Sequence, residues 1–130
     1  MRTSELLLGV CMKRKRVRLT RLLIGTLGNP SHLCFFFDEA QGGLIISAAS
    51  KDDLDAYEIP AYYWKNTKQS CEMSRIAFLK ALQYRFGWEN GRRYWFKGIK
   101  VQSGNKTALI FDLSEEYQRE EIEKSQPQRG

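Results

Sequence analysis

The densest chemistry in the chain is positive charge. Residues 12–21 carry Lys13, Arg14, Lys15, Arg16, Arg18 and Arg21 and no acid. In an extended stretch, alternation puts Arg14, Arg16 and Arg18 on one face. Guanidiniums placed so can hold phosphate oxygens in pairs or reach base edges, whereas Lys13 and Lys15 suit looser phosphate contact. A later basic set, Arg75, Arg92, Arg93, Lys97 and Lys100, has Tyr94, Trp95 and Phe96 beside it. Lysines also protect sheet edges from aggregation, but six cations in ten residues exceed that need. Residues 22–64 have a net charge of −5 and residues 65–106 one of +8. Such separation marks a binding face, for phosphate or for an acidic protein.

Other chemistries have little to work with. His32 is the single histidine, and Cys11, Cys34 and Cys71 are odd in number and far apart. Neither a zinc site nor a disulfide framework is legible in them, so they read as reduced thiols in a cytoplasmic protein. Asp52, Asp53 and Asp55 form an acidic turn of the kind that is mostly solvated. The sequence has no nucleophile elbow and no Gly-rich phosphate loop. The expectation is a protein that is not an enzyme and uses no cofactor and no metal. Residues 6–10 are too short for a secretory signal core, and no apolar run approaches the length of a membrane span. Met12 directly precedes the basic segment, so residues 1–11 are set aside as a candidate upstream extension.

The elements that must position these residues repeat. Residues 12–48 form a first unit. Val17–Leu19 reads as a short strand, Thr20 as a helix cap, and Arg21 to Leu27 as a helix with Leu23 and Leu27 on one face. Gly28 and Pro30 stop it. His32–Phe37 and Gly43–Ser47 then form a hairpin across the Asp38–Gly43 turn. Residues 70–113 form a second unit in the same order. Cys71–Met73 is a strand, Ser74 a cap, and Arg75 to Phe86 a helix ended by Gly87. Arg93–Phe96 and Ala108–Leu113 are the arms of a longer hairpin that turns at Ser103-Gly104-Asn105, with Gly98 as a bulge or kink. Leu19-Thr20-Arg21 corresponds to Met73-Ser74-Arg75. Residues 49–69 are an acidic and aromatic linker. Its Tyr57 to Trp64 segment reads as extended because Pro60 biases Ile59 away from helix, and as a cover for the core. Residues 114–130 read as a short solvated helix and a frayed tail.

Lys15-Arg16-Val17-Arg18-Leu19-Thr20-Arg21-Leu22-Leu23-Ile24-Gly25-Thr26-Leu27-Gly28 resembles the opening motif of the AbrB-like, swapped-hairpin family of bacterial DNA-binding proteins, which runs from a basic strand through a short amphipathic helix to Leu-Gly. The tandem order resembles the MraZ branch, in which one chain holds two units. The second unit departs from the motif, with Ser70 and Glu72 where the first has Arg16 and Arg18.

The resemblance implies an α+β, mostly β fold, with two strand–helix–hairpin units interleaved into one small barrel-like domain. It implies sequence-dependent duplex DNA binding by a small transcription regulator or antitoxin-like protein. The contacts expected are Lys13, Arg14, Lys15, Arg16, Arg18 and Arg21, joined by Arg75, Arg92, Arg93 and Lys97. Alternative readings are a non-enzymatic module that binds an acidic protein, and RNA binding through the aromatic strand. A second copy of the chain is a further candidate partner. In the plainest alternative, Arg18 and Arg21 pair with Asp38, Glu39 or the acidic linker.

Overall fold

Leu6–Cys11, within the segment set aside above, forms strand β1 and lies inside the sheet. It pairs antiparallel with β2 (Arg16–Leu19) on one side and with β7 (Arg93–Ser103) on the other. A strand covered on both faces has no reason to alternate, so Leu6-Leu7-Leu8-Gly9-Val10 carries no strand period. The computed structural model describes residues 6–66, 68–74 and 78–117.

The chain continues from β2 through α1 (Arg21–Thr26), β3 (His32–Asp38), β4 (Gly43–Ala49) and β5 (Tyr57–Glu58) to α2 (Ala61–Lys65). It ends in β6 (Cys71–Ser74), α3 (Leu79–Phe86), β7 and β8 (Lys106–Asp112). The eight strands make one curled antiparallel sheet in the order β5-β3-β4-β8-β7-β1-β2-β6. The fold is α+β and mostly β. No described helix is long and apolar enough to cross a membrane.

The core fills the inside of the curl. Leu8, Val10, Val17, Leu19, Cys71, Met73, Tyr94 and Phe96 point inward from the four strands β1, β2, β6 and β7. Leu33, Leu44, Ile46, Leu109 and Phe111 do so from the two hairpins. Helix α1 forms as expected: the Thr20 hydroxyl accepts from the Leu23 N–H at 3.3 Å, and Leu23 and Ile24 are buried. Gly28, at φ 88°, holds the left-handed conformation that ends the helix.

Four local expectations change. Tyr57 to Trp64 is extended only at β5; Pro60 then precedes helix α2, in which Tyr63 is buried. Proline restricts the residue before it, yet its own φ suits the start of a helix. Ser74 is the last residue of β6 and does not cap α3, which has Phe78 at its N-cap. The Phe78 ring packs 5.4 Å from Phe35 and 6.5 Å from Tyr57. Gly98 is no bulge. It pairs in unbroken register with Leu6 on one side and Phe111 on the other. A Cβ there would lie 2.4 Å from the Phe111 ring, so close approach explains the glycine. Arg14 belongs to the turn between β1 and β2 rather than to a strand, and Lys15 in that turn has φ 55°. The expected tail falls largely on residues outside those described.

The two ends of the sheet order, β5 and β6, are not hydrogen-bonded to each other. Tyr62, from α2, stands at the β6 edge. Its hydroxyl accepts from the Glu72 N–H at 2.7 Å and donates to the Glu72 carbonyl at 3.1 Å. Both backbone groups that Glu72 would offer to a next strand are thereby used. A groove of about 760 Å³ runs beside it, lined in part by Tyr57, Glu58, Tyr62, Lys68 and Glu72.

Candidate functional site

Residues that alternate away from the core build a second surface on the outside of β7, β1, β2 and β6. The ladder registers set it out in rows. Arg93, Cys11, Arg16 and Ser74 lie across from one another in one row, and Trp95, Gly9, Arg18 and Glu72 in the next. Lys97 follows along β7, opposite Leu7. The turn after β1 brings Arg14 over the first row, and this turn is anchored by the Met12 N–H, which donates to the Arg92 carbonyl at 3.0 Å.

Gly9 shapes this surface. A Cβ at residue 9 would lie 2.6 Å from the Trp95 indole, so the ring lies over the bare backbone. Beside it is a pocket of about 150 Å³ lined by Arg14, Arg16, Arg18, Arg93, Cys11 and Trp95. Glu72 is the one acidic residue in its wall. Arg18 donates from Nε and Nη2 to Glu72 Oε2 at 3.1 and 2.6 Å, and Arg16 donates from Nη1 to Oε1 at 3.3 Å. The Arg18 hydrogen bonds and charge, with those of Arg16, outweigh desolvation and hold the Glu72 carboxyl below its ordinary range.

The Cys11 thiol feels the same field. Burial pushes its pKa up, but the Arg14 backbone N–H, the Arg93 guanidinium and the Lys13 backbone N–H together outweigh it, and the pKa falls below the ordinary thiol value. Among the described residues, neither Arg14 nor Arg93 has a carboxylate within ion-pair distance. Among the described residues four guanidiniums face one carboxylate here, which makes this surface net positive.

The other expected contacts divide. Lys13 is exposed in the β1–β2 turn, next to the pocket. Lys15 is also exposed there and donates to Asn90 Oδ1 at 2.9 Å. Lys97 is exposed on β7. Arg92 is exposed beyond the strand end, where it pairs with Glu116 at 3.5 Å and lies 4.7 Å from the Tyr94 ring centroid. Arg21 is engaged elsewhere. It lies 4.1 Å over the Tyr63 ring and donates from Nη2 to the carbonyls of Tyr63 and Asn66, which ties α1 to α2. Arg75 lies outside the described residues.

Arg18 pairs with Glu72 rather than with Asp38, Glu39 or the linker acids, and Arg21 meets linker carbonyls rather than carboxylates. The sequence did hold a signal for Glu72, since it occupies the position in the second unit that matches Arg18. The partnership of Cys11 and Trp95 with the arginines had no local signal, because it depends on how three strands register. Tyr94 and Phe96 are buried and Trp95 alone of that aromatic run lines the pocket. No group of three or more His, Cys, Asp or Glu side chains suited to a metal occurs among the described residues.

Comparisons with protein-family models, with curated proteins and with solved structures find no match to this chain.

Proposed function

We propose that this chain binds duplex DNA through the outer face of β7, β1, β2 and β6, as a small cytoplasmic transcription regulator or antitoxin-like protein of the AbrB-like, swapped-hairpin kind. The observation that carries the reading is the convergence of Arg14, Arg16, Arg18 and Arg93 around one pocket. These residues are far apart in the sequence, and among the described residues only Glu72 opposes them. Sheets and ribbons can lie on a duplex, and the phosphate backbone supplies most of the affinity to such cationic surfaces.

The two-unit, interleaved architecture is part of the same proposal, and the registers support it. Arg18 pairs with Glu72, its counterpart in the second unit, and Ile45 pairs with Ile110 at the middle of the two returning strands. The β1–β2 pair of the first half adds to the β7–β8 hairpin of the second. In return, linker strand β5, which precedes β6 as β1 precedes β2, adds to the β3–β4 hairpin of the first unit. A duplicated unit that exchanges hairpins across a two-fold relation has this pattern. A unit of about 40 residues rarely buries enough surface alone, and fusion in one chain makes the exchange intramolecular.

A mobility-shift titration tests the function. The expected result is a duplex shift whose log K falls linearly with log salt. Joint replacement Arg16→Ala and Arg18→Ala should weaken binding and reduce the slope by roughly 1 for each lost phosphate contact. No shift at low salt, with stable capture of an acidic protein instead, would transfer the face to protein binding. Preference for single strands would favour RNA, with Trp95 as the stacking platform.

A further inference from the structure

We propose that the pocket on this face is a site for a single phosphate monoester, taken either from the end of a nucleic-acid strand or from a free nucleotide. The first argument is size. About 150 Å³ is the size of a cavity that admits one benzene ring, which suits one tetrahedral oxyanion with some hydration. A nucleoside would remain outside, where the Trp95 indole lines the same opening.

The second argument is charge. An internal phosphodiester carries one negative charge, whereas a monoester carries about −1.5 to −2 near neutral pH and offers three strong acceptor oxygens. Arg14, Arg16 and Arg93 stand around the first row, and Glu72 engages Arg16 and Arg18 from β6. Arg93 and Glu72 are three ladder spacings apart, about 14 Å, so the carboxylate does not neutralise the Arg93 end. A duplex backbone lying over the face would meet exposed Lys13 and Lys97. Arg14 and Arg93 are exposed as well and Arg16 and Arg18 are half-exposed, but these four guanidiniums converge on one opening, which matches a terminal dianion that can enter it.

The third argument is fixity. The Arg14 turn is tied to β7 by the Met12–Arg92 backbone bond, and the pocket floor is the β1–β2 ladder. The backbone that carries the cluster therefore needs no rearrangement on binding, and the Arg16 and Arg18 guanidiniums are already held by Glu72.

The strand-end source rests on the duplex reading, and the free-nucleotide source does not. Full-length protein is titrated calorimetrically with inorganic phosphate and with AMP. In parallel, labelled duplexes that differ only in a 5′-phosphate or a 5′-hydroxyl are compared by anisotropy at one salt concentration. Saturable binding of one phosphate per chain is expected. A preference of roughly tenfold or more for the phosphorylated end, about one charge-assisted hydrogen bond, would assign the pocket to strand ends. Equal duplex affinities with saturable AMP binding would assign it to free nucleotides. Arg93→Gln should abolish phosphate binding; if it fails to fold, Arg14→Gln in the exposed turn carries the test. No binding of phosphate or AMP, together with equal affinity for the two duplexes, overturns the proposal and leaves the duplex reading intact. Binding of neither duplex overturns the duplex reading, and the phosphate and AMP titrations then decide the pocket alone.

Discussion

Glu72 restrains the arginines of the outer face. It holds two guanidiniums with one carboxylate, so Glu72→Gln removes the charge that competes with any anion and leaves the shape. The expected outcome is tighter phosphate and nucleic-acid binding. The accompanying loss of stability should be about 1 kcal/mol or less, because the pair is partly exposed. Its carboxyl titrates below the ordinary range in the folded protein. The stabilisation it gives is therefore complete above the unfolded carboxylate pKa and is lost as pH falls through the folded value. Thermal melts from neutral pH downward should show that loss in the wild type and a flatter profile in Glu72→Gln. The three cysteines are graded as well. The Arg14 and Lys13 backbone N–H groups and the Arg93 guanidinium favour the Cys11 thiolate over the effect of burial. Burial, then Asp53 and Asp55, push Cys34 up. Burial pushes Cys71 to about 12. Brief alkylation near neutral pH, read by peptide mass spectrometry, should label Cys11 first and Cys71 last.

At the level of elements, two glycines let aromatic rings lie on bare strand backbone. Gly98→Ala would drive a methyl group into the Phe111 ring. A loss of about 1–3 kcal/mol in denaturant unfolding is expected from such overpacking. Short-range signals made much of the fold legible. The Thr20 cap with the Gly28 stop gave α1, and the turns at Gly42 and Gly104 gave both hairpins. What remained hidden depends on distant partners. Strand β1 carries no period because both its faces are covered, and α2 follows a proline that reads equally as the end of a strand. The start of α3 shifts with the packing of Phe78 against Phe35 and Tyr57. The candidate site divides in the same way: the basic run is visible as composition. The company of Arg93, Trp95 and Gly9 follows only from the β1–β7 register.

For the whole molecule, β1 joins what would otherwise be two sheets, since it stands between β7 and the β2–β6 pair. A chain started at Met12 would expose the facing edges of β2 and β7 and lose Leu8 and Val10 from the core. Such a truncation should be unfolded or aggregated by circular dichroism and size exclusion. The intact chain should melt in a single transition, because β1 pairs with β7 and β4 with β8, so strands from both halves of the sequence share one sheet.

The contact between Gly9 and Trp95 gives the site its own optical reporter. Trp88 is buried away from the arginines, and Trp64 is 45% exposed on α2. With Trp64 replaced by Phe, tryptophan emission would come from one fixed interior ring and from the indole beside the pocket. Changes in intensity or wavelength during a titration would then follow the occupancy of the site without a label.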